Sequence, residues 1–440
     1  MRRYAFGCLA WILALVIGQA RADERRLSAE SPSAADESYA WAGFYAGVDA
    51  GYAFGSGKYT LNPALAGLLP LTGANIFDLF GSRGASFGIL GGYNLPIAQY
   101  WLVGLEGDWS RQRLETQLVT APNTGFDTDI VVKQPWAFSL RGRFGYFVTP
   151  ATLFYGTAGW GWSKVDYFDS DIAFGQFDSS VHVHGFQGGA GIETAVTPHF
   201  HMRLEYLQTL YDTASYGAAS PIFSEIKPQV GTARFATIYQ FGAAAPASEF
   251  RREALATAEP RWTGLYVGGA LGSGVGYANV HFVGIGDLKG AGIAGPVPSL
   301  LGGVNYQALQ YWVIGAETEI APSVRSTDLK LGWIEAVRGR LGFLARPDTL
   351  IYGSGGWVVT HVDDLIYSQR LIMAGQTIDG AQIGGGVETA FTRSWSARFD
   401  YQYAKMHTID LTVPAHVPVS ATVEPRGHVG RLAIIWRFGN

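Results

Sequence analysis

Cysteine is almost missing: Cys8 is the only one in 440 residues. A disulfide framework is therefore excluded, and the fold must hold by other means. Charge is scarce as well, at 15% of residues. With a net charge of −4 there is no basic excess to neutralise phosphates, so a nucleic-acid partner is not expected. No run of 18 apolar residues occurs, although mean hydropathy is +0.10; a helical membrane protein is excluded. Present in their place are 58 glycines, nearly twice the ordinary share of roughly 7%, and 14% aromatics. Plentiful aromatic and β-branched residues exclude disorder. What remains is an all-β chain, either a large soluble sandwich or a membrane barrel.

The first residues read as an export signal. Arg2 and Arg3 precede an apolar run from Tyr4 to Gly18, and Ala20-Arg-Ala22 supplies a small-x-small cleavage pattern. Residues 1–22 are thus expected to be a signal peptide, with Asp23 opening the mature chain. The competing membrane anchor needs roughly 20 apolar residues, more than the run supplies. Cleavage removes Cys8, and it leaves 29 basic against 36 acidic residues.

An internal repeat organises the rest. Trp41-Ala-Gly-Phe-Tyr-Ala-Gly matches Trp262-Thr-Gly-Leu-Tyr-Val-Gly, and Gly91-Gly-Tyr-Asn94 matches Gly302-Gly-Val-Asn305. Gln99-Tyr-Trp101 matches Gln310-Tyr-Trp312, Arg141-Gly-Arg-Phe-Gly145 matches Arg338-Gly-Arg-Leu-Gly342, and Gly191-Ile-Glu-Thr-Ala195 matches Gly386-Val-Glu-Thr-Ala390. Both copies close alike, at Phe241 and Phe438. The repeating unit, about 200 residues, is far longer than a solenoid repeat. The boundaries expected are a periplasmic leader over 23–40, one unit over 41–242, a periplasmic linker over 243–261 with linker-like alanine, proline and charge, and a second unit over 262–440.

Within each unit the period-two alternation places eight strands. The first set falls near 43–54, 84–95, 100–112, 135–148, 152–166, 182–196, 200–213 and 230–241. The second falls near 264–275, 296–306, 311–322, 332–345, 349–362, 377–391, 395–408 and 427–438. Tight turns at Thr149-Pro150, Thr197-Pro198, Arg346-Pro347 and Thr392-Arg393 alternate with long connections, of which 55–83 and 113–134 are the longest. Short turns at one end and long loops at the other fit a transmembrane antiparallel up-and-down barrel. The fold expected is two tandem eight-stranded barrels. The alternative is one sixteen-stranded wall, with the linker as its middle turn.

The faces of the strands agree with lipid outside. Trp101, Val103, Leu105 and Trp109 alternate with Glu106 and Asp108; Leu140, Phe144 and Tyr146 alternate with Arg141 and Arg143; Met202, Leu204 and Tyr206 alternate with Arg203 and Glu205. The inward set of the first unit is Glu106, Asp108, Glu193 and Glu205 against Arg141, Arg143, Arg203 and Arg234. That of the second is Glu317, Glu319, Glu388 and Asp400 against Arg338, Arg340, Arg398 and Arg431. Asp49 adds a fifth acid to the first, where the second has Ala270. Enclosed charges must be paired, so each set is expected to plug its lumen with ion pairs, with Gly47, Gly104 and Gly191 making room for long arginines. The competing reading is a selectivity ring in an open pore. Tyr100, Trp101, Tyr146, Phe200, Phe241, Tyr311, Trp312, Phe343, Trp395 and Phe438 gather beside the short turns as an interfacial girdle.

The repeated Trp-x-Gly-Phe/Leu-Tyr-x-Gly opening, Arg-Gly-Arg-x-Gly, Gly-x-Glu-Thr-Ala and the aromatic last strand resemble the small outer-membrane porin-like or immunogenic-protein family of alphaproteobacteria. The resemblance spans both units. It implies an eight-stranded barrel in the cell outer membrane with a structural, surface-antigen role, and a terminal aromatic strand read by the barrel-assembly machinery. Some relatives are called porins, and some are linked to haemin binding. Most relatives carry one unit, so the tandem is a departure; Gly439 and Asn440 after Phe438 are another.

Other chemistry finds little support. His182 with His184, and His199 with His201, share strand faces but have no evident third ligand, so no metal site is expected. Tyr59, Tyr216 and His416 are the candidates for a loop haemin contact, with nothing to select them. No Gly-x-Ser-x-Gly supports the third reading, a lipid-modifying enzyme, and no cofactor or catalytic residue is assigned. The cations Arg111, Arg113, Lys164 and Lys405 have lipid-facing parity at the loop ends of their strands. They are expected to meet lipopolysaccharide phosphates, or else simply to reach headgroup water. The function expected is structural and surface-interacting, with a water-filled porin for small solutes as the alternative.

Overall fold

The computed structural model describes residues 38–438 except 62–75, 99, 121–127, 172–174, 217–223, 244, 247–261, 283–285, 326–328, 368–369 and 413–419. The expected signal peptide, nearly all of the leader and most of the linker therefore lie outside the described residues. Among the described residues all regular structure is strand.

The first unit supplies β1 (Gly43–Leu61), β2 (Ile76–Ala98), β3 (Trp101–Thr120), β4 (Thr128–Thr149), β5 (Thr152–Asp171), β6 (Gly175–Ala195), β7 (Phe200–Tyr211) and β8 (Ser224–Gln240). Each pairs antiparallel with the next, and β8 returns to β1 through seventeen register pairs from Gln240↔Tyr45 to Ser224↔Leu61. The second unit repeats this with β9 (Gly264–Phe282), β10 (Gly286–Leu309), β11 (Trp312–Arg325), β12 (Leu329–Arg346), β13 (Thr349–Tyr367), β14 (Arg370–Ala390), β15 (Trp395–Met406) and β16 (Ser420–Arg437). Here β16 closes on β9, from Arg437↔Tyr266 to Ala421↔Phe282. These closures make two separate eight-stranded barrels and exclude the single sixteen-stranded wall.

The strands run further than the alternation suggested. The two connections expected to be longest, 55–83 and 113–134, are largely ladder: Glu115 pairs with Lys133, and Gly57 with Phe80. Apolar-polar alternation marks only the stretch that must face lipid, roughly ten residues. Beyond it the strands continue on backbone hydrogen bonds with polar and glycine residues, which carry no such pattern.

At the short-turn end each chain turns sharply into its barrel. Gly43 has φ +96° and Gly264 φ +141°, a region that side chains disfavour. This bend explains the glycine in the repeated motif. It lets the preceding tryptophan fold across the barrel mouth, where Trp41 Nε1 donates to Pro150 O at 3.1 Å and Trp262 Nε1 to Pro347 O at 2.9 Å. Both indoles are 1% exposed. Gly43→Val is expected to lower unfolding free energy by about 1–3 kcal/mol, read as an earlier urea midpoint in lipid vesicles.

The outer walls meet along a seam. Tyr52, Phe54, Ile192, Leu204, Tyr206 and Ala233 point outward from the first barrel, yet they pack on Ile351, Val387, Phe399, Tyr401 and Leu432 of the second. Tyr206 was expected to face lipid and is instead only 8% exposed. A glycine sets the close approach: a Cβ on Gly430 of the second barrel would stand 2.7 Å from the Tyr206 ring of the first. Within the first barrel Gly231 leaves room for the Phe54 ring, 2.6 Å from where its Cβ would stand. At the loop end Gln117–Thr120 of β3 adds a short ladder with Gly286–Lys289 of β10.

Candidate functional site: the lumens and the loop-end rim

Side chains fill each lumen in layers. Nearest the short turns of the first barrel, Trp41 packs with Leu102, Phe147, Leu153 and Tyr155. In the second, Trp262 packs with Val313, Leu344, Leu350 and Tyr352. Charges occupy the next layer. Toward the loops Leu114, Val132, Val165, Tyr167, Tyr211 and Tyr216 close the first lumen with apolar bulk. Ala336, Val358 and Met406 do so in the second.

All sixteen inward charges named from the sequence are buried. In the first barrel Glu106 is the hub: Arg141 Nη2 lies 2.6 Å from Oε1, and Arg203 Nη1 lies 2.5 Å from Oε2. Arg203 also reaches Glu193 at 2.8 Å, as does Arg143. Arg234 joins Glu205 at 2.5 Å, Asp108 at 2.8 Å and Asp49 at 3.5 Å. The second barrel repeats the pattern. Arg338 lies 2.6 Å from Glu317 and 2.7 Å from Glu319, Arg398 bridges Glu317 and Glu388, Arg340 reaches Glu388 at 3.1 Å, and Arg431 joins Asp400 at 2.6 Å and also Glu319.

The sequence reading missed several members. Tyr45 and Tyr155 donate to Glu106 and Glu205, both at 2.7 Å. Tyr266 and Tyr352 donate to Glu317 at 2.7 Å and to Asp400 at 3.1 Å. The Arg143 guanidinium stacks 4.1 Å from the Tyr155 ring, and that of Arg340 3.9 Å from Tyr352. Gly191 therefore makes room for a tyrosine rather than an arginine: a Cβ there would meet Tyr155 Oη at 2.5 Å. Gly104 packs on Asn94 and Gly47 on Ile238. The signal was available, because all four tyrosines recur at matching places in the two units.

The equal count of four against four is also corrected. His201 Nδ1 lies 2.9 Å from Glu193 in the first lumen, beside Asp49. In the second, Arg437 lies 2.8 Å from Glu388, with Ser396 at the place matching His201. Among the described residues the ion-pair layer of the first lumen thus has five carboxylates for four arginines and a histidine, and that of the second has four carboxylates for five arginines.

His199 and His201 separate, while His182 and His184 stay on one exposed strand face. His201 is in the lumen, whereas His199 sits in the turn with its Nδ1 2.9 Å from Gln240 O. His184 pairs with Asp212 at 2.9 Å on the exposed rim. Among the described residues no three metal-ligand side chains gather. Tyr216 cannot serve a loop contact, since it is 1% exposed and stacked on Tyr167 within the lumen; the Tyr59 side chain and His416 lie outside the described residues. Of the four outward cations, Arg111, Arg113 and Lys405 are exposed. Lys164 is half-buried and already paired with Asp166 at 2.8 Å. At the short-turn end the girdle aromatics pack together, as Trp101 does with Tyr146 and Tyr311 with Phe343.

The chain is similar to known outer-membrane proteins. A family model described as outer membrane protein beta-barrel domain matches residues 27–241. The 31 kDa outer-membrane immunogenic protein of Brucella melitensis is 28% identical over 248 residues, covering 53% of this chain and 98% of that protein. The 22 kDa outer membrane protein of Rhizobium leguminosarum is 30% identical over 188 residues, covering 42% of this chain and 71% of that protein. Among solved structures, the attachment invasion locus protein Ail of Yersinia pestis covers 46% of this chain and 99% of its own length, at 17% identity and a TM-score of 0.26. The P. putida toluene transporter TodX covers 90% of this chain and 91% of its own, at 11% identity and a TM-score of 0.29. With alternation, closure and girdle all requiring lipid outside, the chain belongs to the alphaproteobacterial family of outer-membrane β-barrel proteins and resides in the outer membrane.

Proposed function

We propose that this protein is a non-catalytic, structural and surface-interacting component of the outer membrane, with both lumens plugged. One observation carries the reading: each lumen is filled in succession by a tryptophan cap, an ion-pair layer and apolar side chains. Eight strands leave room for side chains and little else. The charges of the ion-pair layers act as a packing core rather than a selectivity ring. On this reading the aromatic last strand, ending in Phe438, is the part recognised by the assembly machinery, the leader and linker are periplasmic, and the signal peptide is removed on export.

Planar-bilayer recording tests it. Purified protein is expected to insert without conductance steps of porin size. Regular steps at neutral pH would sink the plug and favour the small-solute channel.

The rim is the surface-interacting part. Arg111, Arg113 and Lys405 are exposed and meet no acid among the described residues, at the level of the outer-leaflet headgroups, where lipopolysaccharide phosphates lie. Lys164 contributes less, because Asp166 already answers it.

A further inference from the structure

The seam between the barrels has a polar end that packing alone does not explain. His428 points outward from β16, at lipid-facing parity, yet is 3% exposed. Its ring stacks on Phe54 at 4.9 Å, Tyr52 at 5.0 Å and Tyr277 at 5.5 Å; its Nδ1 meets Tyr401 Oη at 2.5 Å. Beside it two guanidiniums, one from each barrel, share the Tyr277 ring: Arg83 at 4.3 Å and Arg426 at 5.9 Å. Lys405 is the register partner of Arg426 and adds a third cation.

Acid is short there. Glu424 meets Arg426 at 3.4 Å and is half exposed. Glu115 lies opposite Arg83 in the ladder, but its carboxylate turns to Lys133, 3.8 Å away. Arg83 Nη1, Arg426 Nε and His428 Nε2 are buried without a hydrogen-bond partner among the described residues. A buried donor left unmade is unfavourable, and guanidinium donors match phosphate oxygens in geometry and charge.

Below these groups the same two strands change character. Gly269 and Leu271 of β9 and Leu432 and Ile434 of β16, with Leu300 and Phe154, line an apolar groove of about 830 Å³. Leu271 and Leu300 are among the most exposed apolar side chains of the outer wall, so the groove opens toward the membrane. Its lining suits an acyl chain entering from that side.

We propose that the seam is a lipid site: Arg83 and Arg426 hold a phosphate of an outer-leaflet glycolipid, and the groove takes one of its acyl chains. This deepens the reading of the rim cations and rests on it for the identity of the leaflet. The full chain in detergent, titrated with bisphosphorylated lipid A and followed by native mass spectrometry, tests it. Wild type is expected to retain one lipid tightly and to bind dephosphorylated lipid A far more weakly. Arg83→Gln and Arg426→Gln are each expected to weaken binding about tenfold, with the heat-shifted gel band of the folded barrels unchanged. Gly269→Trp, which fills the groove and keeps both arginines, is expected to weaken it as well. Wild-type affinity in the Arg83→Gln/Arg426→Gln protein, or equal binding of the dephosphorylated lipid, overturns the proposal. If the arginine variants do not fold, Gly269→Trp decides alone. An Arg111→Gln/Arg113→Gln protein tests the rim separately: its wild-type binding would count against the rim contacts and leave the seam standing.

Discussion

Arg203→Ala is expected to remove about 3–5 kcal/mol of stability from the first barrel, the range for breaking a buried ion pair on one side. Arg203 is 1% exposed and lies between two acids, with Nη1 on Glu106 and both Nε and Nη2 on Glu193. It also packs near the rings of Tyr45 and Tyr155, at 5.7 and 5.4 Å. Alanine would leave a cavity and two carboxylates with too few cations. Arg141 and Arg143 still hold one acid each, which keeps the loss from being larger. Arg398→Ala is expected to do the same to the second barrel through Glu317 and Glu388. Urea unfolding in lipid vesicles measures both. Exposed Arg111 is the control, since surface changes usually stay within roughly 0.5 kcal/mol. If Arg203→Ala matched the control, water would be answering those carboxylates. The lumen would then be wet, and the channel reading would gain what the plug lost.

The second large effect concerns the seam. A protease site placed in the linker region, 247–261, and then cut should yield two halves that still copurify in mild detergent. Phe54, Tyr206, Phe399 and Tyr401 are held between the walls, and the loop-end ladder between β3 and β10 adds backbone bonds. Gly430→Trp should reverse this. Its side chain would need the space of the Tyr206 ring, already 2.7 Å from where a Cβ would stand. Each barrel closes on its own ladder, so both halves should keep their heat-shifted gel mobility while separating. Gel filtration after cleavage reads the outcome. Halves that separate in the unsubstituted protein would show that the linker alone joins them.

Sequence carried some of these features and hid others. Parity identified the lumen because a barrel in lipid forces charge inward: Glu106, Arg141 and Arg203 could be placed from alternation alone. The tyrosines escaped because an aromatic is unremarkable on either face. Only their recurrence, Tyr45 with Tyr266 and Tyr155 with Tyr352, marked them in the sequence, and hydrogen bonds to Glu106 and Glu205 place Tyr45 and Tyr155 in the lumen. The seam escaped for the opposite reason. Phe54 and Tyr206 face a second barrel with the same chemistry that would face acyl chains, so no pattern separates the two. His428 was the readable exception, since a polar group at lipid-facing parity needs a reason; Arg83 and Arg426 fell just outside the expected strands 84–95 and 427–438 and had no parity to read. The strand ends beyond the membrane were unreadable, because ladders there are held by backbone bonds that any residue but proline can make.

Two copies of one fold in one chain invite a folding error, in which a strand of one copy completes the other. The unequal lumens oppose it. A first barrel closed with β9 would set Ala270 where Asp49 stands, taking a carboxylate from Arg234. A second barrel closed with β8 would set Gln240 where Arg437 stands, taking a cation from Glu388. Each exchange removes an ion pair that only the native closure makes in an enclosed space, so part of the information that sorts sixteen similar strands into two correct sets is written on the inside of the barrels, where it takes effect only as each one closes.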